Sequence, residues 1–171
     1  IAANAPTFSA LLPYTFKDVR FYEAASIGAL TITTGEQIIT GFDLVINNNI
    51  ASDDSVRRLG TGTVALLPPG GTKDVTLNIT QRMDTTTAMT NYLAGTPSAL
   101  LITMDTGVTI GAAGSSTYSM RIELPKCYYN ENEANVGGAG VLTKTVPFRC
   151  IADSTAGWDI RALVVAASTP L

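Results

Sequence analysis

The sequence contains no histidine among its 171 residues. This absence excludes Ser-His-Asp and Cys-His catalysis, and it also excludes metal sites built on imidazole ligands. Charge is scarce as well, since Asp, Glu, Lys and Arg together make up 15% of the chain. One tryptophan and 7% aromatic residues argue against a sugar cleft lined with rings. Paired carboxylates, Ser-Lys chemistry and cofactors are the enzymatic options that these absences leave.

Clustered positive charge and long apolar runs are also missing. The 11 Lys and Arg residues are scattered and the formal net charge is −3, so tight binding to DNA is disfavoured. No apolar run approaches the roughly 20 residues of a membrane-spanning helix, and no membrane partner is expected. The N-terminal segment lacks a basic region and contains Pro6 and Pro13, unlike a signal peptide. Because the chain begins at Ile1, we expect a processed product or part of a longer one.

Three sets of residues could in principle carry chemistry, but each lacks a feature that the site would need. Residues 60–65 fit G-x-G-x-x-A, yet Pro68 and Pro69 prevent the helix that a dinucleotide site needs. Asp53 and Asp54 lack the ligand pattern of an EF-hand and are typical of a solvated turn. The spacing selects no catalytic pair among four carboxylates: Glu36, Glu123, Asp105 and Asp159. We therefore expect no enzymatic activity, no cofactor and no bound metal.

The two cysteines, Cys127 and Cys150, have no metal-like spacing. Each lies at or just past the end of a predicted strand, so the two could be neighbours in the fold. Free cysteine is commonly buried, which favours two small buried thiols. A disulfide is the alternative.

Short β-prone segments dominate what the sequence does contain. Hydrophobic residues make up 46% of the chain, and its many Thr, Val and Ile residues favour pleated, half-buried surfaces. Alternation and turn signals predict seven or eight strands. The segments that supply them are 16–24, the short β-prone stretch 29–33, 38–47, the short apolar stretch 64–67, 73–81, 99–105, 117–124, 141–150 and 160–166. One short helix is predicted over residues 85–93, with Asp84 or Thr85 as its N-cap. The fold class is therefore all-β with one short helix, an antiparallel β-sandwich or barrel.

Three further features of the strands carry expectations. Period-two alternation predicts that two sets of side chains face the core: Phe42, Leu44 and Ile46, and Val75, Leu77 and Ile79. Pro147 lies inside a predicted strand, which predicts a sheet edge or a bulge there. Trp158 follows Gly157 at a strand start and is interpreted as a core or interface anchor.

The order of several segments resembles the C-terminal part of the tail tube (major tail) proteins of tailed bacteriophages. The segments are GFDLVINNNIASDDSVRR (41–58), LGTGTVALLPPGG (59–71), KDVTLNIT (73–80), YSMRIELPKC (118–127), VLTKTVPFRCIAD (141–153) and DIRALVV (159–165). The resemblance covers roughly Ile27 to Ala167. It implies an N-terminal arm and first strand over residues 1–26, and a tail-tube-like β domain over residues 27–171.

The resemblance also implies a function. A structural subunit would form rings of six copies whose inner wall is a continuous β-barrel. Stacked rings would form the tail tube of the virion, assembled in the host cytoplasm, in contact with other tail proteins and with DNA that passes through without tight binding. Scarce surface charge is consistent with self-assembly, because surfaces poor in charge often meet other protein. The main alternative is an extracellular β-sandwich adhesin or carbohydrate-binding module, which would be monomeric.

The longest irregular segment is YYNENEANVGGAG, residues 128–140. Its glycines permit adaptation and its polar side chains suit a wet interface, although a mobile hairpin connection is the simpler interpretation. The tube resemblance would make it a contact between subunits. The candidate self-assembly residues are Tyr128, Asn130, Glu131, Asn132, Glu133, Asn135, Gly137 and Gly138.

Overall fold

The computed structural model describes residues 14–49, 72–82, 87–110, 116–130 and 143–165. Eight strands and one α-helix lie in these ranges: β1 Val19–Ala24, β2 Glu36–Gln37, β3 Ile39–Asn47, β4 Asp74–Arg82, α1 Thr87–Ala94, β5 Ser98–Thr109, β6 Thr117–Tyr129, β7 Thr143–Cys150 and β8 Arg161–Val165. Two single-turn 3-10 helices, Phe16–Asp18 and Ile27–Ala29, flank β1. The predicted fold class, antiparallel β with very little helix, is confirmed.

The strands form one antiparallel sheet that divides at β6. Its order is β2-β1-β5-β6-β7-β4-β3, and β8 also pairs with β6. Residues 119–123 of β6 pair with β8, whereas residues 127–129 pair with β7. The long strand β6 is therefore shared by a first branch, β2-β1-β5-β6-β8, and a second branch, β6-β7-β4-β3.

One hydrophobic core lies between the two branches. The predicted inward face of β4 is confirmed, since Val75, Leu77 and Ile79 are at most 1% exposed. These three join a cluster with buried residues of β1, β5, β6 and β7, among them Phe21, Leu100, Ile102, Leu124 and Phe148. Burying apolar surface on both branches holds them face to face.

The inward face of β3 is only partly as predicted. Phe42 and Leu44 pack against the core cluster. Ile46 lies opposite Val75 and so shares their face, yet it is 49% exposed. Its burial was predicted wrongly, because β3 is the last strand of the second branch and the core thins toward the end of that strand.

Several element boundaries differ from those predicted. The stretch 29–33 is not a strand, because the 3-10 helix Ile27–Ala29 is followed by irregular chain up to β2. Strands β5 and β6 run to Thr109 and Tyr129, well beyond their predicted ends. The helix is described from Thr87. Residues 83–86 and the apolar stretch 64–67 lie outside the described residues.

Strands β6 and β7 stop pairing at Pro147, in agreement with the predicted sheet edge. The last paired residues are Tyr129 and Phe148. One residue further, the Asn130 N–H donates to the Pro147 carbonyl at 2.9 Å, but proline has no N–H to return the bond. The described part of β7 before Pro147 pairs with β4 alone.

The second branch folds back over the first. A shallow apolar groove is lined on one side by Phe16 and Val19 and on the other by Ile39 and Phe42. The start of β3, Ile39 to Phe42, therefore lies near the start of β1, although four strands separate β3 from β1 in the sheet order. Because β8 lies at the other end of the first branch, β3 and β8 occupy opposite sides of the described molecule. The boundary at residue 26 between an N-terminal arm and a β domain stays a prediction. Strand β1 lies before this boundary and pairs with β5 over six residues.

Candidate assembly surface

Strand β8 has an open side. It pairs with β6 in the register Glu123–Arg161 to Ser119–Val165. No strand pairs with its other side in the part of the chain that the structure describes. We name this open side the β8 edge. An unpaired edge presents a row of free backbone N–H and C=O groups, which is a template for another strand.

The side chains of the β8 edge are apolar on both faces of the sheet. Leu163 and Val165 lie opposite Arg121 and Ser119 on one face, and Val164 lies opposite Met120 on the other. Their exposed fractions are 39%, 41% and 66%, respectively. Residues 162–165 carry no charge. Edge strands that stay solvated are usually blunted by lysine, proline or inward charges, and β8 has none of these after its first residue.

Polar contacts fix the start of β8. The Arg161 guanidinium donates to Glu123 on the paired strand, with Nε 2.9 Å from Oε2, and it lies 4.7 Å from the ring centroid of Trp158. The Glu123 side chain is 15% exposed, so this ion pair is partly shielded from water. Trp158 is half-buried and lies outside the described core cluster, so the expected core role is not seen and the interface role stays a prediction. These contacts hold β8 on β6 and leave its other side free.

A second ion pair links the segment before β8 to β4. Lys73 Nζ lies 2.7 Å from Asp159 Oδ1, across 86 residues of sequence. Burial alone would raise the pKa of Asp159, but the bond and charge of Lys73 and the N–H groups of Asp159 and Ile160 lower it below its usual range. Asp159 is therefore ionised at neutral pH and ties the two branches together.

Strand β3 forms a second open edge of the same character. Its side away from β4 has no partner strand among the described residues. We name this side the β3 edge. Val45 and Ile46 project to opposite faces and are 46% and 49% exposed. The remaining end of the sheet is different, since β2 has two residues and carries the solvated ion pair Arg20–Glu36.

The candidate assembly residues of the sequence fall at the far end of β6. Tyr128 is still part of that strand, half-buried, with the Lys126 ammonium 5.9 Å from its ring centroid. Asn130 is exposed and bonds the Pro147 carbonyl. The irregular segment therefore begins two residues later than predicted. The remaining candidates lie outside the described residues: Glu131, Asn132, Glu133, Asn135, Gly137 and Gly138.

The four carboxylates considered for catalysis are each occupied elsewhere. Glu36 pairs with Arg20, Glu123 with Arg161, and Asp159 with Lys73. Asp105 accepts from the Thr117 hydroxyl and from the Gly107 N–H. The sites of these contacts lie apart on the fold, and no two of the four carboxylates share a partner.

A partly buried polar contact that sequence reasoning missed ties β1 to β6. The Tyr129 hydroxyl donates to Glu23 Oε1 at 2.5 Å, and its ring packs on Phe148 with centroids 4.5 Å apart. Burial, followed by the charge and the hydrogen bond of Glu23, raises the pKa of Tyr129 well above its ordinary value. The two residues are 106 positions apart, and only strand order could have brought them together.

Metal and membrane sites are not apparent in the described ranges. No group of three or more Cys, Asp or Glu side chains that could hold a metal ion occurs there. Within the same ranges, no helix is long and apolar enough to cross a membrane. The chemistry that this surface offers is strand pairing and apolar contact.

Comparisons with known proteins bear on the family and the fold of this chain. Residues 2–150 match a family model described as "Phage tail tube protein". Among solved structures, a chain of the "Virion of native gene transfer agent (GTA) particle" aligns with a TM-score of 0.53 and 11% identity, covering 90% of this chain and 100% of its own. A chain of "Crystal structure of Hcp protein" aligns with a TM-score of 0.45 and 12% identity, covering 86% and 97%. No curated protein matches significantly.

Proposed function

This chain belongs to the phage tail tube protein family and is a structural subunit of a tail tube, and we propose that its copies join into rings by pairing the β8 edge of one copy with the β3 edge of the next. The observation that carries the proposal is the β8 strand itself, uncharged after Arg161 and exposed on both faces. Covering it with a neighbouring strand satisfies the free backbone groups and buries the valines.

The placement of the two edges supports a ring. They lie on opposite sides of the molecule and differ in sequence, so their contact is heterologous, and such contacts close into rings when the rotation fits. Both β3 and β8 run in the same direction along the sheet path, because each is separated from β6 by an odd number of antiparallel pairings. A rotation about an axis along the strands would therefore pair them parallel.

Stacking and passage of DNA complete the proposed role. Rings of six copies, stacked head to tail with other tail proteins, would form a hollow tube in the virion after assembly in the host cytoplasm. The net charge of −3 favours a lumen that repels phosphates, so DNA would slide through rather than be held. On this proposal the function is mechanical and includes no catalysed reaction.

A charge on the β8 edge tests the strand pairing. Val164→Lys should keep the circular dichroism spectrum of the wild type and yield monomers by light scattering, because a lysine there would be desolvated in the interface. Leu93→Lys is the matched control, since Leu93 is 75% exposed on α1, away from both edges. Tubes of normal length from Val164→Lys, seen by negative-stain microscopy, would contradict the proposal.

Cross-linking identifies which edges meet. Val164→Cys combined with Val45→Cys should give a ladder of covalent oligomers with a short bismaleimide, whereas either single variant should not. Val164→Cys combined with Gln37→Cys tests the β2 end instead. A ladder only from the second combination would reject the β3 edge as the partner and keep the β8 edge.

We also propose that the segment from Tyr128 to Gly140 contacts another subunit. Its support is compositional, with three glycines by residue 140 and side chains suited to a wet interface. Replacing residues 131–140 by a tight turn should preserve the fold and impair assembly. If the shortened protein builds normal tubes, the segment is only a connection.

A further inference from the structure

Cys127 and Cys150 lie directly opposite each other on β6 and β7. The backbone hydrogen bonds on either side show whether the two cysteines form a hydrogen-bonded or a non-hydrogen-bonded pair of the ladder. Ile151 N–H donates to the Lys126 carbonyl, and Asn130 N–H donates to the Pro147 carbonyl. In an antiparallel ladder, hydrogen-bonded and non-hydrogen-bonded pairs alternate. The cysteines, one position from the first of these bonds, therefore form a non-hydrogen-bonded pair.

This position brings two side chains as close as a sheet allows. The Cα atoms of a non-hydrogen-bonded pair lie about 4.5 Å apart, within the range of roughly 4.4–6.8 Å that a disulfide spans. Both thiols are reduced and buried here, and the Cys127 thiol donates to the sulfur of Cys150. The chain has no other cysteine. Each thiol therefore has one possible partner within its own chain.

We propose that Cys127 and Cys150 are a modification site, at which an intrachain disulfide cross-links β6 to β7. The oxidant is a small disulfide such as oxidised glutathione. One protein thiolate attacks it, forming a mixed disulfide and releasing one small thiol. The second protein thiolate then attacks the mixed disulfide, releases the other small thiol and closes the protein bond. Two protein thiols lose two electrons and two protons, which the small disulfide receives.

The bond closes slowly in the folded protein. Burial, with the hydrogen bond and charge of Cys150, raises the pKa of Cys127 far above its usual range, so little thiolate is present. Thiols stay reduced where glutathione and thioredoxin are active, and they oxidise outside such compartments. The cross-link therefore forms after the protein leaves a reducing environment, and it pins β6 to β7 where the two branches separate.

Peptide mapping of the wild-type protein tests the proposal. The protein is incubated with oxidised and reduced glutathione, both folded and during refolding from denaturant, then alkylated and digested with trypsin without reduction. Cleavage after Lys126, Lys144, Arg149 and Arg161 should give peptides 127–144 and 150–161 joined by one disulfide. Dithiothreitol should separate them. The oxidised monomer should be lighter by two hydrogen atoms than the reduced one.

Thermal unfolding supplies the second readout. The bond spans 23 positions of sequence, and the oxidised wild type should melt about 5–10 °C higher than the reduced protein. Cys127→Ala with Cys150→Ala is the control and should show no dependence on dithiothreitol. Peptides that stay separate with alkylatable thiols in both incubations would overturn the proposal. So would glutathione adducts without the internal bond, or disulfide-linked dimers.

Discussion

At the scale of single residues, burial separates apolar side chains that the sequence pattern treats alike. Leu77 is fully buried on β4, whereas Ile46 on the paired strand is 49% exposed although it faces the same way. Leu77→Ala should lower the free energy of unfolding by about 2–5 kcal/mol, because it leaves a cavity in the core. Ile46→Ala should cost about 1 kcal/mol or less. Denaturant titration of both variants measures the difference in the free energy of unfolding. Equal losses of stability in the two variants would mean that Ile46 on β3 is covered in solution.

The Tyr129–Glu23 bond gives a pH-dependent prediction. The folded pKa of Tyr129 is raised, so the folded state holds the phenolic proton more tightly than the unfolded state does. This contribution to stability is present below the ordinary tyrosine value of 10.0 and is lost as pH rises above it. Stability of the wild type should therefore fall more steeply above about pH 10 than that of Tyr129→Phe. Denaturant midpoints measured from pH 8 to about 11 check this, and parallel pH profiles would remove Tyr129 as the cause.

At the scale of elements, the turn before β2 depends on one glycine. Gly35 has φ +78°, and a Cβ there would lie 2.3 Å from the Glu23 carbonyl oxygen. Gly35→Ala should cost roughly 1–3 kcal/mol and loosen β2 from β1, because the backbone must shift to relieve the contact. Gly28→Ala is the matched control, since a Cβ at Gly28 meets nothing within 4 Å. Hydrogen exchange at the Gln37 amide and thermal unfolding are measured for both variants. If Gly35→Ala leaves exchange and melting temperature unchanged, the turn does not have the close contact described.

The sequence predicted the positions of the strands better than it predicted which strands pair with each other. Alternation located β1, β3, β4, β7 and β8 to within a few residues, since side-chain period is a local property. It underestimated β6, because Pro125 and the polar residues after it signal an end that pairing with β7 overrides. The stretch 29–33 had β-prone composition but found no partner strand. A strand forms only when a partner strand lies beside it, and the residue pattern of one segment does not show whether such a partner exists.

The assembly surface could be located from the sequence only in part. Scarce charge and strand order pointed to self-assembly, and family membership confirms a tail tube subunit. The apolar run of β8 was seen as an ordinary strand, because the sequence does not show that only one of its sides is paired. The adjacency of Cys127 and Cys150 was one open alternative, and the register of β6 and β7 settles their position.

At the scale of the whole molecule, the balance of charge predicts weak contact with DNA. With 11 basic residues scattered over a chain of net charge −3, few counterions can be released at one site. Assembled tubes should bind duplex DNA with a Kd weaker than about 1 µM at physiological salt, and any binding should fade as salt rises. Fluorescence anisotropy at low and moderate salt measures this. Sub-micromolar binding that survives moderate salt would point to a DNA-binding role.

The position of β8 in the chain has a consequence for biosynthesis. Every buried residue of the core cluster lies at or before Cys150, whereas the β8 edge spans Arg161–Val165. A ribosome adds residues from the N-terminus at roughly 5–20 per second, so the core strands emerge first. On the proposed pairing, the β8 edge is made only after the β3 edge that would receive it. Neighbouring nascent chains on one messenger RNA therefore present the β8 edge only after their core strands have been made.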